Sequence, residues 1–143
     1  MVATHPETLI EDRPTAFGTY APQNFDGEFR GTIRIRDALK MSLNIPVVKL
    51  TEALGPSRVM VHLRRAGVVA KVPGGRAGLA ISLGGVGVSL EGLVTLFASI
   101  ANGGKSVPIH ATNAIPDSLQ QTVISPESAW HMGEILSDIP DRK

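Results

Sequence analysis

The chain has 143 residues, 43% of them hydrophobic, with 14 lysines and arginines against 13 aspartates and glutamates. That length fits one domain or part of one, and the apolar share is enough for a core. The near-neutral balance, with no basic patch interleaved with aromatics, argues against nucleic acid as a partner, and the lack of cysteine excludes a disulfide framework and any thiolate ligand or nucleophile.

Residues 1–31 carry Pro6, Pro14, Pro22, Gly18, Gly27 and Gly31, a density of breakers that predicts an extended, turn-rich strip. Tyr20, Phe25 and Phe29 are expected to pin that strip to other elements. The opening MVATHPETLIEDRP has no basic segment followed by an apolar run, so neither signal nor anchor is expected.

Residues 32–143 read as the helical part. Ile35, Ala38, Leu39 and Ser42 follow the i, i+3, i+4, i+7 rule, which puts Ser42 on the apolar face of a first helix. Asn44 is expected to close that helix in the left-handed conformation, ahead of Pro46. Pro46 suits the first turn of a second helix, with Val47, Leu50, Thr51 and Leu54 inward and Gly55 as its stop. Pro56 or Ser57 opens a third, with Val59, His62, Leu63 and Ala66 inward, ending at Gly67. Residues 68–88 form a glycine-rich connection with an apolar middle, Leu79 to Leu83. Ser89 reads as the N-cap of a fourth helix whose inner face is Leu90, Leu93, Val94, Phe97, Ile100 and Ala101, stopped at Asn102. Its most apolar stretch, Leu93 to Ala101, is too short to span a bilayer. Strand character is expected around Val107 to Ile115, and a last helix from Ser125 and Pro126 with Ala129, Met132, Gly133 and Leu136 inward. The fold class is therefore mostly α with short β segments (α+β): five helices and extended pieces at two places.

Common catalytic signatures fail. His5, His62, His110 and His131 lack ligand spacing, so no metal or cofactor is expected, and His62 reads as a hydrogen-bonded core histidine. Gly84, Gly85 and Gly87 miss the third glycine of a dinucleotide loop, and Gly104-Lys105 lacks the upstream glycine of a phosphate loop. Asp26 and Glu28 read as solvated carboxylates. What is left is Ser42-Leu43-Asn44, which in isolation is a helix-terminal serine followed by a capping asparagine.

The surroundings of that triplet carry more. The run from Asn24 to Gly67, NFDGEFRGTIRIRDALKMSLNIPVVKLTEALGPSRVMVHLRRAG, resembles the middle of the transpeptidase domain of class A penicillin-binding proteins. Tyr20, Pro22, Asn24, Phe25, Asp26, Gly27 and Gly31 match that family's approach strip. Arg36, Ala38, Leu39, Ser42, Leu43, Asn44, Ile45 and Pro46 match the helix that ends SLNIP. SLGGVGVSLEGLVTLFASIANGGK resembles the next signature, and NFDG with LGGVG is most similar to the 1C branch.

The resemblance implies the helical part of the penicillin-recognising serine-transferase (beta-lactamase/transpeptidase-like) fold, incomplete, with residues 1–143 as a partial domain. It also implies acyl transfer, using S-x-x-K, S-x-N and K-T-G elements. A serine of S-x-x-K attacks the D-Ala-D-Ala carbonyl of a peptidoglycan stem peptide. Ser42 would be the proton-relay serine and Asn44 the contact to the substrate amide. Stem peptides and beta-lactams are the implied partners of a membrane-anchored parent outside the cytoplasmic membrane, whose glycosyltransferase domain is separate.

No serine among the 143 residues is followed three positions later by lysine, and Lys105-Ser106 is followed by Val107 in place of K-T-G. Nucleophilic catalysis needs a nucleophile within reach of its base, so this stretch is expected to be inactive alone. Lys40 and Lys49 stand two and seven positions from Ser42, neither one turn away on its face, so Ser42 is not expected to replace the missing nucleophile. The alternatives are a non-catalytic module that binds stem peptide, and an unrelated helical domain. Helices that pack on the rest of such a fold are expected to show uncovered apolar surface.

Overall fold

The computed structural model describes residues 5–106, 109 and 120–138. Strand β1 (Leu9–Asp12) pairs antiparallel with β2 (Gly31–Arg34), Leu9 opposite Arg34 and Asp12 opposite Gly31. β2 runs straight into α1 (Ile35–Lys40), followed by α2 (Asn44–Leu54) and α3 (Pro56–Arg65). Two short 3-10 turns, Pro73–Gly75 and Leu79–Leu83, lead to α4 (Leu90–Ala101). A two-residue pair, β3 (Lys105–Ser106) with β4 (Gln121–Thr122), precedes α5 (Pro126–Ser137). The α+β class, the five helices and both serine caps hold. Ser89 Oγ accepts from Gly92 N at 3.0 Å and Ser125 Oγ from Ser128 N at 3.1 Å. Of the strand expected around Val107 to Ile115, all but Ile109 lies outside the described residues.

The first correction concerns Ser42 and Asn44. α1 stops at Lys40, and it is Ser42, at φ 54°, that takes the left-handed position. Ser42 N donates to Leu39 O at 3.0 Å and Leu43 N to Ala38 O at 2.9 Å, the paired bonds of a Schellman ending. Leu43 folds back and is buried, as is Ala38, while Ser42 is exposed. The i+7 place that periodicity gave to Ser42 is thus filled by Leu43, because the helix closes one turn early. Asn44 does not close α1; it opens α2.

α3 ends by the same device. Val68 N donates to Leu63 O and Gly67 N to Arg64 O, with Gly67 at φ 78°. Here a glycine supplies the left-handed residue without steric cost. Leu63 and Val68 then meet in the core cluster of Ala66, Val68 and Val123, which Leu96 and Ile124 flank.

The expected inner faces need revision. On α2 the buried residues are Ile45, Pro46, Val48 and Thr51, while Leu54 is exposed; Met60, absent from the expected face of α3, is its deepest residue. His62 is exposed, although its Nδ1 lies 2.9 Å from Val123 O. Since a carbonyl only accepts, that nitrogen carries the proton. α5 buries Ala129 as expected, and Ile135, which the expected face did not include, while Met132, Gly133 and Leu136 are half-buried. In the N-terminal strip Phe25 is 96% exposed and Phe29 is also exposed, so those two aromatics do not pin it.

α4 is inverted. Its buried side is Gly92, Thr95 and Ser99, while Leu90, Leu93, Val94 and Phe97 are 78%, 42%, 49% and 55% exposed. A Cβ at Gly92 would lie 2.9 Å from Val68 Cγ1, so the helix approaches the core on its small residues. Thr95 and Ser99 satisfy their hydroxyls on the carbonyls of Glu91 and Leu96, which makes them inexpensive to bury. The apolar stripe is left facing outward, the uncovered surface that the resemblance led us to expect. Among the described residues no helix is long and apolar enough to cross a membrane.

Two ion pairs tie α1 to the end of α5, Arg36 with Glu134 at 3.4 Å and Lys40 with Asp138. The hydrogen bond from Lys40 holds the Asp138 carboxyl below its ordinary value. A carboxylate depressed on folding stabilises above its unfolded pKa, and loses that effect as pH falls through the lower folded value. Asp138→Asn is therefore expected to lower the urea midpoint at pH 5–6, only slightly because the pair is exposed, and to leave it unchanged at pH 2, which flattens the acid-dependent loss below about pH 4.

Candidate functional site

The Ser42–Asn44 turn is held from outside its own segment. Asp12, at the end of β1, and Asn24, in the loop before β2, are 0% and 4% exposed. Asn24 Nδ2 donates to both carboxylate oxygens of Asp12, at 2.9 and 3.0 Å, and to Glu28 O at 2.8 Å. Asp12 Oδ2 also accepts from Arg30 N at 2.8 Å. A buried carboxylate is tolerable only when such donors converge on it. Because Asp12 can only accept, it fixes the Asn24 amide with nitrogen toward the carboxylate and oxygen away.

That oxygen meets the start of α2. Asn44 N donates to Asn24 Oδ1 at 2.9 Å and Ile45 N at 3.4 Å. Leu43 stands at the N-cap and has no side chain able to accept. Its own N–H goes back to Ala38, and Pro46 has none, so Asn24 meets the need a cap residue normally meets. The helix is capped from 20 residues upstream. Lys49 Nζ adds a bond to Glu11 O at 2.9 Å, tying α2 to β1.

This frame presents the triplet. Asn44 Nδ2 donates to Gln23 O at 2.7 Å, and among the described residues nothing donates to its Oδ1. One N–H and the carbonyl oxygen of the carboxamide therefore remain for a further partner. Asn44 does not cap its own helix with its side chain. Ser42 is exposed and its Oγ is unbonded among the described residues, which corrects the place on the apolar helix face expected of it. Neither nearby amine serves it: Lys40 is paired with Asp138 and Lys49 with the Glu11 carbonyl.

Beside the turn, Asp26 and Arg30 pair at 2.5 Å and Glu28 N donates to Asp26 Oδ1. The Glu28 backbone bond and then the Arg30 bond hold the Asp26 carboxyl below its ordinary value, in keeping with a solvated structural role. His5 and His131 come together edge to face, 5.2 Å between ring centres. Among the described residues no three ligating side chains gather. Sequence reading matched Asn24 to the approach strip without giving it a task, and missed Asp12 altogether. The available signal was a helix start at Asn44 preceded by a leucine, which demands a cap from elsewhere.

The penicillin binding protein transpeptidase domain family matches residues 3–143. Penicillin-binding protein 1C of Escherichia coli (strain K12) is 36% identical over 137 residues, covering 94% of this chain and 17% of that protein. Penicillin-binding protein 1F of Bacillus subtilis (strain 168) is 28% identical over 94% of this chain and 20% of its own length. The chain thus spans a fifth or less of the curated relatives it matches. The crystal structure of PBPA from Mycobacterium tuberculosis superposes with a TM-score of 0.78 at 18% identity, over 99% of this chain and 41% of that one. A peptidoglycan glycosyltransferase from Burkholderia ambifaria gives 0.73 at 21% identity, over 93% and 48%.

Two outcomes test the frame. Asn24→Ala is expected to cost about 3 kcal/mol, the sum of a stranded buried carboxylate and a lost cap, measured by urea denaturation. Ser42→Gly is expected to stabilise by about 0.5–1 kcal/mol, because relief of left-handed strain exceeds the added chain entropy of glycine.

Proposed function

The chain belongs to the penicillin-binding protein transpeptidase family, and from that premise we propose that it forms the S-x-N wall of a site for acyl transfer on peptidoglycan stem peptides. Family membership removes the unrelated helical domain from the alternatives. In this reading Ser42 passes a proton between the lysine of an S-x-x-K element and the leaving amine, and Asn44 bonds the substrate amide. The nucleophile comes from S-x-x-K and the carboxylate-binding strand from K-T-G, neither of which occurs in the 143 residues.

One observation carries the reading. Ser42 occupies a left-handed position where glycine would be less strained, and its hydroxyl is exposed and unbonded among the described residues. Strain held at a non-glycine residue with a free functional group points to a role for that group. Two residues on, a carboxamide is anchored through one N–H, and its other polar atoms have no partner among the described residues. The outward apolar stripe of α4 is further support, since a partial domain leaves such a face uncovered.

The proposal makes the chain inactive on its own and places beta-lactams and stem peptides as partners of the complete site, in a parent anchored at the outer face of the cytoplasmic membrane. Incubation with fluorescent penicillin followed by intact-mass analysis is expected to show no covalent adduct. An adduct on Ser42 would refute the assignment of the nucleophile to S-x-x-K. Saturable binding of a D-Ala-D-Ala peptide without turnover would favour the non-catalytic module.

A further inference from the structure

The near-zero net charge conceals a segregation. Between Ala53 and Leu90 there are five cations, Arg58, Arg64, Arg65, Lys71 and Arg76, and no aspartate or glutamate; elsewhere nine cations face thirteen carboxylates. None of the five takes part in an ion pair among the described residues. The other helical cations with a carboxylate in reach use it, as Arg36 and Lys40 do.

α3 concentrates this charge on its outer side. Arg58, Val61, His62 and Arg65 follow i, i+3, i+4, i+7 spacing, and all four are exposed, so they form one stripe along the helix. Arg64 lies beside it and borders an open, largely apolar cavity of about 390 Å³ with Met60, Val68 and Val69. Val61 is 40% exposed and Val69 75%. The surface therefore offers arginines and aliphatic side chains together, and the Schellman ending at Gly67 fixes the turn from one to the other.

We infer that the outer face of α3, with Val69 beyond it, docks on an anionic phospholipid surface. A soluble polyanion engages the cations and gains nothing from Val61 or Val69. A lipid interface takes both, with headgroup phosphates on the arginines and the aliphatic groups at the acyl boundary. The contact is peripheral: a ten-residue helix, too short to cross a bilayer, lying in the plane of the surface.

The test is cosedimentation of the whole chain with vesicles of 30% phosphatidylglycerol in phosphatidylcholine, beside pure phosphatidylcholine vesicles. Binding is expected at least tenfold stronger to the anionic vesicles and weaker in 0.5 M salt. Each arginine at such a surface contributes roughly a fivefold factor, so Arg58→Gln with Arg65→Gln is expected to weaken partition about 25-fold, and Val61→Ser to weaken it further. Leu93→Ser with Phe97→Ser on α4 is the control and is expected to leave binding unchanged, circular dichroism confirming that each variant is folded. Equal binding to neutral vesicles, or loss with the α4 variant alone, overturns the inference. So does no binding, or arginine-dependent capture of a single-stranded oligonucleotide as tight as capture of the vesicles.

Discussion

A buried carboxylate, Asp12, sets the geometry of the candidate site through one amide. Its charge needs donors, and Asn24 supplies them by turning its nitrogen inward, which turns its oxygen toward the unfilled N–H groups of α2. Electrostatics at the end of β1 thereby positions a helix that begins 32 residues later. Removing any member leaves a polar group stranded in a dry region, which is why such networks hold their geometry when complete and fail as a unit when broken.

The turn that the network holds is locally unfavourable. A serine stands where a glycine would sit without strain, as Gly67 does at the matching position of α3. Two helices in one chain close by the same paired backbone bonds, one with the permissive residue and one without. The contrast isolates the side chain at Ser42 as the feature retained against local stability. Buried Leu43 on one side and the capped start of α2 on the other supply what keeps the strained residue in place.

Helix existence and helix starts were legible in the sequence because capping serines, prolines and glycines act locally: Ser89, Ser125, Pro56 and Gly67 each do what their chemistry predicts. Inner faces were less legible. Periodicity identifies an apolar stripe without saying what it faces, and on α4 the stripe of Leu90, Leu93, Val94 and Phe97 turns outward while Gly92, Thr95 and Ser99 face the core. The site was half legible. Ser42 and Asn44 stand out by motif, whereas their support by Asp12 and Asn24 depends on hydrogen bonds between residues 12 to 21 positions apart, which no local pattern reveals.

Amide hydrogen exchange at Asn44 and Ile45, read residue by residue by NMR on the 143-residue chain, tests the dependence of the turn on Asn24 most directly. Both N–H groups should exchange as slowly as the interior amides of α2, and in Asn24→Ala both should lose protection selectively while the Leu43 amide, bonded to Ala38, keeps its own. Free exchange of Asn44 and Ile45 in the unaltered chain, or protection that survives Asn24→Ala, would contradict the claim that this amide holds the turn.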